Sequence, residues 1–393
     1  MESFQTIHDR KNTDSFKWDD VKRVFGTEDI LPMWVADMDF QAPKEVNDAL
    51  IERAKHGIYG YTVINDRIKD QVVNWVEQKH HWTIDSHWLS FSPGVITSLH
   101  IAIQSFTDRG DKILLQTPVY TPFFNIIRNG EREVVENPLV YNGEKYEIDF
   151  NDFEEKLKQG VKAFVLCSPH NPVGRVWTKE ELLEMGRLCL KYDVLILADE
   201  IHADLVFDGY RHIPIASLSK QLAEQTITCM SPTKTFNLAG LQASYTITSD
   251  AKKRTILNQK LAQQGFSMLN TMGVVALEAA YKHGRPWLDK LMKVIEENKR
   301  YVREQMNEET NGLLHVLDSE ATYLLWIDCR KLGLDDKALQ QFMIEEAKVG
   351  LNPGSSYGKE GELFMRINIA CPQATLEEGV QRIVKAVKKR TEE

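Results

Sequence analysis

The stretch DVLILADEIH, residues 193–202, runs through five consecutive apolar residues, Val194 to Ala198, and stops on Asp199. A strand with one face in water alternates apolar and polar residues, whereas an unbroken apolar run suits a strand covered on both faces. An acidic group closing such a run needs a partner, because an unpaired buried charge is costly. Three further runs are built alike: DKILLQTPVY (111–120), KAFVLCSPHNP (162–172) and TITCMSPTKT (226–235). Helical patterns lie among them, including FEEKLKQG (153–160) and TKEELLEMGRLCLKY (178–192). This alternation predicts an α/β fold whose mostly parallel sheet is covered by helices. In such sheets ligands bind beyond the carboxyl ends of the strands, so the polar clusters after each run are where chemistry is expected.

The C-terminal part reads differently. YLLWIDCR (323–330), ALQQFMIEEAKVG (338–350), LFMRINIA (363–370) and a helix over 376–389 predict a smaller α+β unit. RPWLDKLMKVIEENKRYVREQMNEE (285–309) reads as a long connecting helix. A chain of 393 residues is long for one core. The pattern places a large domain over 48–286, and a small domain built from 1–47 together with 287–393.

A formal net charge of −9 disfavours a phosphate backbone or an anionic membrane surface, so neither nucleic acid nor membrane is expected as partner. No apolar run approaches bilayer length, and the opening MESFQTIHDRKNTDS lacks the apolar core of a signal peptide. Five cysteines without a CxxC pair read as buried reduced thiols, and the expectation is a cytoplasmic protein.

Four clusters carry the chemistry. In SPGVITSLHIAI (92–103) a Pro-Gly turn enters an apolar helical pattern. Free N–H groups at such a start suit a phosphate, which singles out Gly94, Val95 and Ile96, although many strand-to-helix turns look the same. In SPHNPVGRVW (168–177), Asn171 either aims its amide at a ligand oxygen or belongs to an ordinary turn. Asp199 either caps a helix or pairs with a protonated ring nitrogen, and His202 lies three residues on. In SPTKTFNLAG (231–240), Lys234 either reaches solvent or sits in a cleft where desolvation makes its amine a nucleophile. Pyridoxal phosphate needs a lysine for its aldehyde, an anion for its pyridinium nitrogen and a cradle for its phosphate. Each motif alone is bland; their order and spacing together point to that cofactor.

On these residues the chain resembles the fold-type-I pyridoxal-phosphate enzymes, the aspartate aminotransferase superfamily of class I and II, over nearly its whole length. Asn171 in NPVG, Asp199 in ADEIH, and Ser231 and Lys234 in SPTK carry the resemblance. So does Arg366 in MRINIA, as the arginine that grips a substrate α-carboxylate. The resemblance implies the PLP-dependent transferase fold. It implies that Tyr120 in TPVYTPF stacks on the pyridine ring, and that Tyr61 in YGYT reaches the phosphate of a neighbouring subunit, with Tyr59 at the substrate. It thereby implies a homodimer with a shared active site. LPMWVADMDF (31–40) resembles the signature of the MalY/PatB group of cystathionine β-lyases and C–S lyases, with Val35 and Ala36 near the substrate carboxylate. Two positions depart from the aspartate aminotransferase pattern. His202 stands where a tyrosine often contacts the cofactor's phenolic oxygen, and Gln242 where an arginine often holds the phosphate.

The leading expectation is therefore a pyridoxal-phosphate-dependent C–S β-lyase. Its substrate would be an amino-acid thioether: L-cystathionine, cysteine or a cysteine conjugate. Lys234 would act as general base and Asp199 would support the electron sink. A class I/II aminotransferase using a keto acid is the alternative, since the same residues serve it. A regulator that binds another protein and keeps a vestigial site is a further one.

Overall fold

The computed structural model describes residues 4–392. At its centre lie seven strands: β1 (Leu89–Ser92), β2 (Lys112–Thr117), β3 (Glu133–Pro138), β4 (Val161–Cys167), β5 (Leu195–Asp199), β6 (Thr226–Met230) and β7 (Ser244–Ile247). They form one sheet in the order β1-β7-β6-β5-β4-β2-β3. The run from β6 to β3 is parallel throughout. Only β7 runs antiparallel to its neighbours β6 and β1. The four apolar runs thus become β2, β4, β5 and β6, four of the five strands in that parallel run.

Every residue of β5 and β6 is buried; in β5 this is written as an unbroken apolar run, whereas in β6 Thr226 and Thr228 are buried along with their apolar neighbours. Along β4 and β5, Phe164, Leu166, Ile196 and Ala198 pack with Leu182, Met185 and Leu188 of the helix Lys179–Lys191. The intervening Ala163, Val165, Leu195 and Leu197 pack with Leu99 and Ile103 of the helix Val95–Phe106. Successive side chains point to opposite faces, and each face has its own covering layer. The helix Lys179–Lys191 starts on a capping box of Thr178 and Glu181, so its first turn is satisfied within the segment.

A second, antiparallel sheet joins β8 (His315–Val316), β9 (Leu324–Asp328), β10 (Asn352–Pro353) and β11 (Phe364–Asn368) in the order β8-β9-β11-β10. The helices Arg285–Glu309 and Gln373–Glu392 share its apolar cluster, through Leu291, Ile295, Leu376 and Ile383. The N-terminal Leu31–Pro32 pairs in parallel with Val349–Gly350. All five cysteines are buried and free. Among the described residues no helix is long and apolar enough to cross a membrane.

Register sets up the site. Cys167 at the end of β4 faces Asp199 at the end of β5, and Asp199 faces Cys229 near the end of β6. The segments carrying Asn171, Asp199 and Lys234 therefore leave the sheet side by side at its carboxyl edge.

Candidate active site

A cavity of about 190 Å3 opens there. One wall is Gly94, Val95, Ile96 and Thr97. The helix Val95–Phe106 begins on Gly94 without a side-chain cap, which leaves first-turn N–H groups for a ligand. Tyr120, Asn171, Asp199 and His202 line the opposite parts, and Ala36 and Lys234 complete the wall.

Lys234 sits in the short helical turn Pro232–Thr235. Ser231 caps that turn: its hydroxyl accepts the Thr233 N–H at 3.1 Å and donates to the Ala243 carbonyl at 2.7 Å. Lys234 Nζ donates to the Ala36 carbonyl oxygen at 2.6 Å. Burial pulls the Lys234 ammonium down to about 8, against the attraction of Asp37 and Asp199 and aided by Arg366. Burial raises the Asp199 carboxyl to about 7, although the Ile201 N–H bonded to it at 3.1 Å and the charge of Lys234 oppose the rise. His202 is held down to about 3 by burial and by Lys234 and Arg366, so its imidazole is neutral.

Arg366, at the centre of β11, is 3% exposed. It donates from Nη1 to Asn171 Oδ1 at 3.1 Å and from Nη2 to the Trp34 carbonyl at 2.8 Å. Its Nε is buried without a partner, as is Nδ1 of His202.

The segment MWVADMDF is coil, and side chains from distant parts of the chain bind its carbonyls. Asn352 joins Arg366 on Trp34 O. Asn368 donates to Val35 O and Asp37 O, each at 2.6 Å. Tyr323 joins Lys234 on Ala36 O at 3.0 Å, and Asn237 donates to Met38 O and Phe40 O.

Of the residues picked from the sequence, the cavity gathers Ala36, Gly94, Val95, Ile96, Tyr120, Asn171, Asp199, His202 and Lys234. Arg366 adjoins it through Asn171. Val35 and Ser231 are not on its wall; the Val35 carbonyl is taken by Asn368 and the Ser231 hydroxyl by its own turn. Tyr59 and Tyr61 line a separate surface depression with Met268 to Met272, and Tyr61 is 98% exposed. Gln242 ends a tight turn in the left-handed region, at φ 51°. Thr97, Ile201 and Thr233 line the cavity and were not singled out by sequence reasoning. Thr233 was readable, since it flanks the lysine in SPTK. Tyr323, which acts through Ala36, had no local signal.

This donor set fits pyridoxal phosphate. The amine and carboxylate stand in one cavity below an uncapped helix start, and two buried nitrogens beside them have no protein partner.

The chain belongs to the class I and II aminotransferases: the family model described as Aminotransferase class I and II matches residues 28–383. Within that family it is 45% identical to cystathionine beta-lyase PatB of Bacillus subtilis (strain 168), over 98% of this chain and 100% of that protein. It is 34% identical to the protein MalY of Escherichia coli (strain K12), over 99% of each. The crystal structure of cystalysin from Treponema denticola, which contains pyridoxal 5'-phosphate, matches with a TM-score of 0.96 at 37% identity, over 99% of both chains.

Proposed function

We propose that this protein is a pyridoxal-phosphate-dependent carbon–sulfur β-lyase that cleaves L-cystathionine, and cysteine or its S-conjugates, to thiol, pyruvate and ammonia. The observation that carries the reading is the hydrogen bond from Lys234 Nζ to Ala36 O. It joins the lysine of the cofactor site to the MWVADMDF segment, which resembles the C–S lyase signature. The 45% identity to a cystathionine beta-lyase along nearly the whole chain supports the same reaction.

Bound in the cavity, pyridoxal phosphate supplies an electron sink for the pair released from the substrate's Cα–H bond. The N–H groups at the Gly94–Ile96 helix start would bind its phosphate and Tyr120 would stack on its ring, while Ser231 holds the turn that carries Lys234. Asp199 would keep a proton on the ring nitrogen. Arg366 binds the substrate α-carboxylate through its planar guanidinium, which Asn171 and the Trp34 carbonyl keep in orientation. Lys234 Nζ takes the proton from Cα and delivers it to the departing sulfur as the Cβ–S bond breaks. Released aminoacrylate takes up water and gives pyruvate and ammonia.

The same reading makes the enzyme a homodimer. Ile58, Tyr59, Tyr61, Val63 and Met268 are all exposed, and an exposed apolar surface of this kind favours burial against a second copy. Tyr61 then reaches the neighbour's phosphate and Tyr59 its substrate. A large domain over 48–286 and a small one from 1–47 with 287–393 belong to this reading, supported by the pairing of Leu31–Pro32 with Val349–Gly350. The five free cysteines support a cytoplasmic setting.

The test is L-cystathionine with the pyridoxal-phosphate-loaded protein and no keto acid. Sustained pyruvate release with an equal amount of thiol supports elimination. A stop after a single turnover, relieved by a keto acid, means transamination instead.

A further inference from the structure

Behind Lys234, away from the cavity, lies a second group of buried titratable side chains that the proposed reaction does not use. Asp204 and His80 are each 4% exposed. Asp204 Oδ2 accepts the Thr235 hydroxyl at 2.7 Å. Trp75 Nε1 donates to both Asp204 oxygens, at 3.1 and 3.3 Å. His80 Nε2 stands 2.9 Å from Oδ1. Beside this group Glu200, the residue after Asp199, accepts from His212 Nε2 at 2.9 Å, and the His80 and His212 rings are 5.5 Å apart.

Thr235 is fully buried and directly follows Lys234. Consecutive residues of a helical turn leave its axis in different directions, and here Lys234 goes to the cavity and Thr235 to Asp204. The turn has only four residues, too few to fix its own orientation. Side chains hold it at both ends, Ser231 on Ala243 O and Thr235 on Asp204. A buried carboxylate is an expensive support unless it is well bonded. Burial pushes the Asp204 carboxyl up, but His80, Lys79 and Thr235 outweigh that and hold it below the usual carboxylate range. Tyr245 and Tyr281 also feel its charge. The Thr235 hydroxyl and Trp75 Nε1 both donate to this carboxyl, so its oxygens are bonded within the core.

We propose that Asp204 is a positioning residue: through the Thr235 hydroxyl it fixes the rotation of the Pro232–Thr235 turn and so aims Lys234 Nζ into the cavity. This rests on the reading of Lys234 as the cofactor lysine.

The test compares Thr235→Val, which keeps the shape and removes the hydroxyl, with Thr235→Ser, which keeps the hydroxyl. Both are studied as the pyridoxal-phosphate-loaded enzyme. Three quantities are read: Tm, the kcat and KM for L-cystathionine, and the pH midpoint of the visible absorbance of the lysine-bound cofactor. Thr235→Val is expected to lower kcat roughly 10- to 100-fold with KM little changed, and to move the absorbance midpoint, while Thr235→Ser restores both. Should Thr235→Val not fold, Asp204→Asn carries the same expectation. A lower Tm with unchanged kcat and midpoint would overturn the proposal and leave Asp204 a purely structural group. Persistence of the lysine-bound absorbance in Lys234→Ala would overturn the reading beneath it, and that outcome is distinct because it does not depend on Thr235.

Discussion

The amine of Lys234 donates a 2.6 Å hydrogen bond to the carbonyl oxygen of Ala36, 198 positions earlier in the chain. A coil segment near the N-terminus thus forms a wall of the cavity at the strand ends. That segment has no ladder of its own and is held by side chains. Asn237 ties it on the lysine's side, and Arg366 and Asn368 tie it on the side of the four-stranded sheet. From the N-terminus, Arg10 and Lys17 hold Asp37 and Asp39.

The Lys17–Asp39 pair is 2.6 Å long and almost fully buried, at 1% and 6% exposure. Lys17→Met leaves Asp39 buried with a partner missing and is expected to cost about 3–5 kcal/mol, read from urea unfolding. Burial raises the Asp39 carboxyl, but Lys17, Trp18 and Arg10 outweigh it and hold it below the usual range. Its contribution is therefore present above the unfolded carboxylate pKa and is lost as pH falls through the lower folded value. The variant should lose less stability on acidification than the parent.

Lys234 is held down to about 8. In protein freed of cofactor, acylation of Lys234 by an amine reagent should reach half its maximal rate near pH 8, while exposed lysines respond nearer their ordinary value of about 10.4. Mass mapping of the labelled peptides against pH reads both. A midpoint for Lys234 like that of the exposed lysines would refute its desolvation.

Asp199 is raised to about 7 by burial. Between the unfolded carboxylate value of about 3.9 and 7, the native cofactor-free protein binds a proton that the unfolded chain has lost. Unfolding free energy then falls as pH rises through that window. Asp199→Asn should flatten the decline in urea midpoints and, in the loaded enzyme, lower kcat because an amide cannot hold the ring nitrogen's proton.

Arg366→Lys keeps the charge and loses the planar fork. Loss of a hydrogen bond to a charged group is worth about 1.5–3 kcal/mol, so KM for L-cystathionine should rise roughly 10- to 100-fold. An unchanged KM would mean that the carboxylate binds elsewhere.

What the sequence makes legible here is whatever local pattern encodes. Runs such as LILAD announce strands buried on both faces, and the clusters at their ends meet because parallel strands present their carboxyl ends together. The antiparallel direction of Ser244–Ile247 was not legible, because direction depends on pairing partners and not on composition. Nor was the contact of Ala36 with Lys234, since a backbone carbonyl carries no residue signature. The Arg10, Lys17, Asp37 and Asp39 cluster reads locally as ordinary surface charge, and only the fold shows Lys17 at 1% exposure. Tyr59 and Tyr61, chosen by resemblance, lie outside the cavity of their own chain, so no pattern within one chain could place them at a site.

The central claim is that Lys234 carries the cofactor at this cavity. Borohydride reduction of the pyridoxal-phosphate-loaded protein, followed by peptide mass mapping, tests it most directly. The account predicts the reduced cofactor on Lys234 alone, within the peptide containing SPTKT. A label on any other lysine, with Lys234 unmodified, would contradict it.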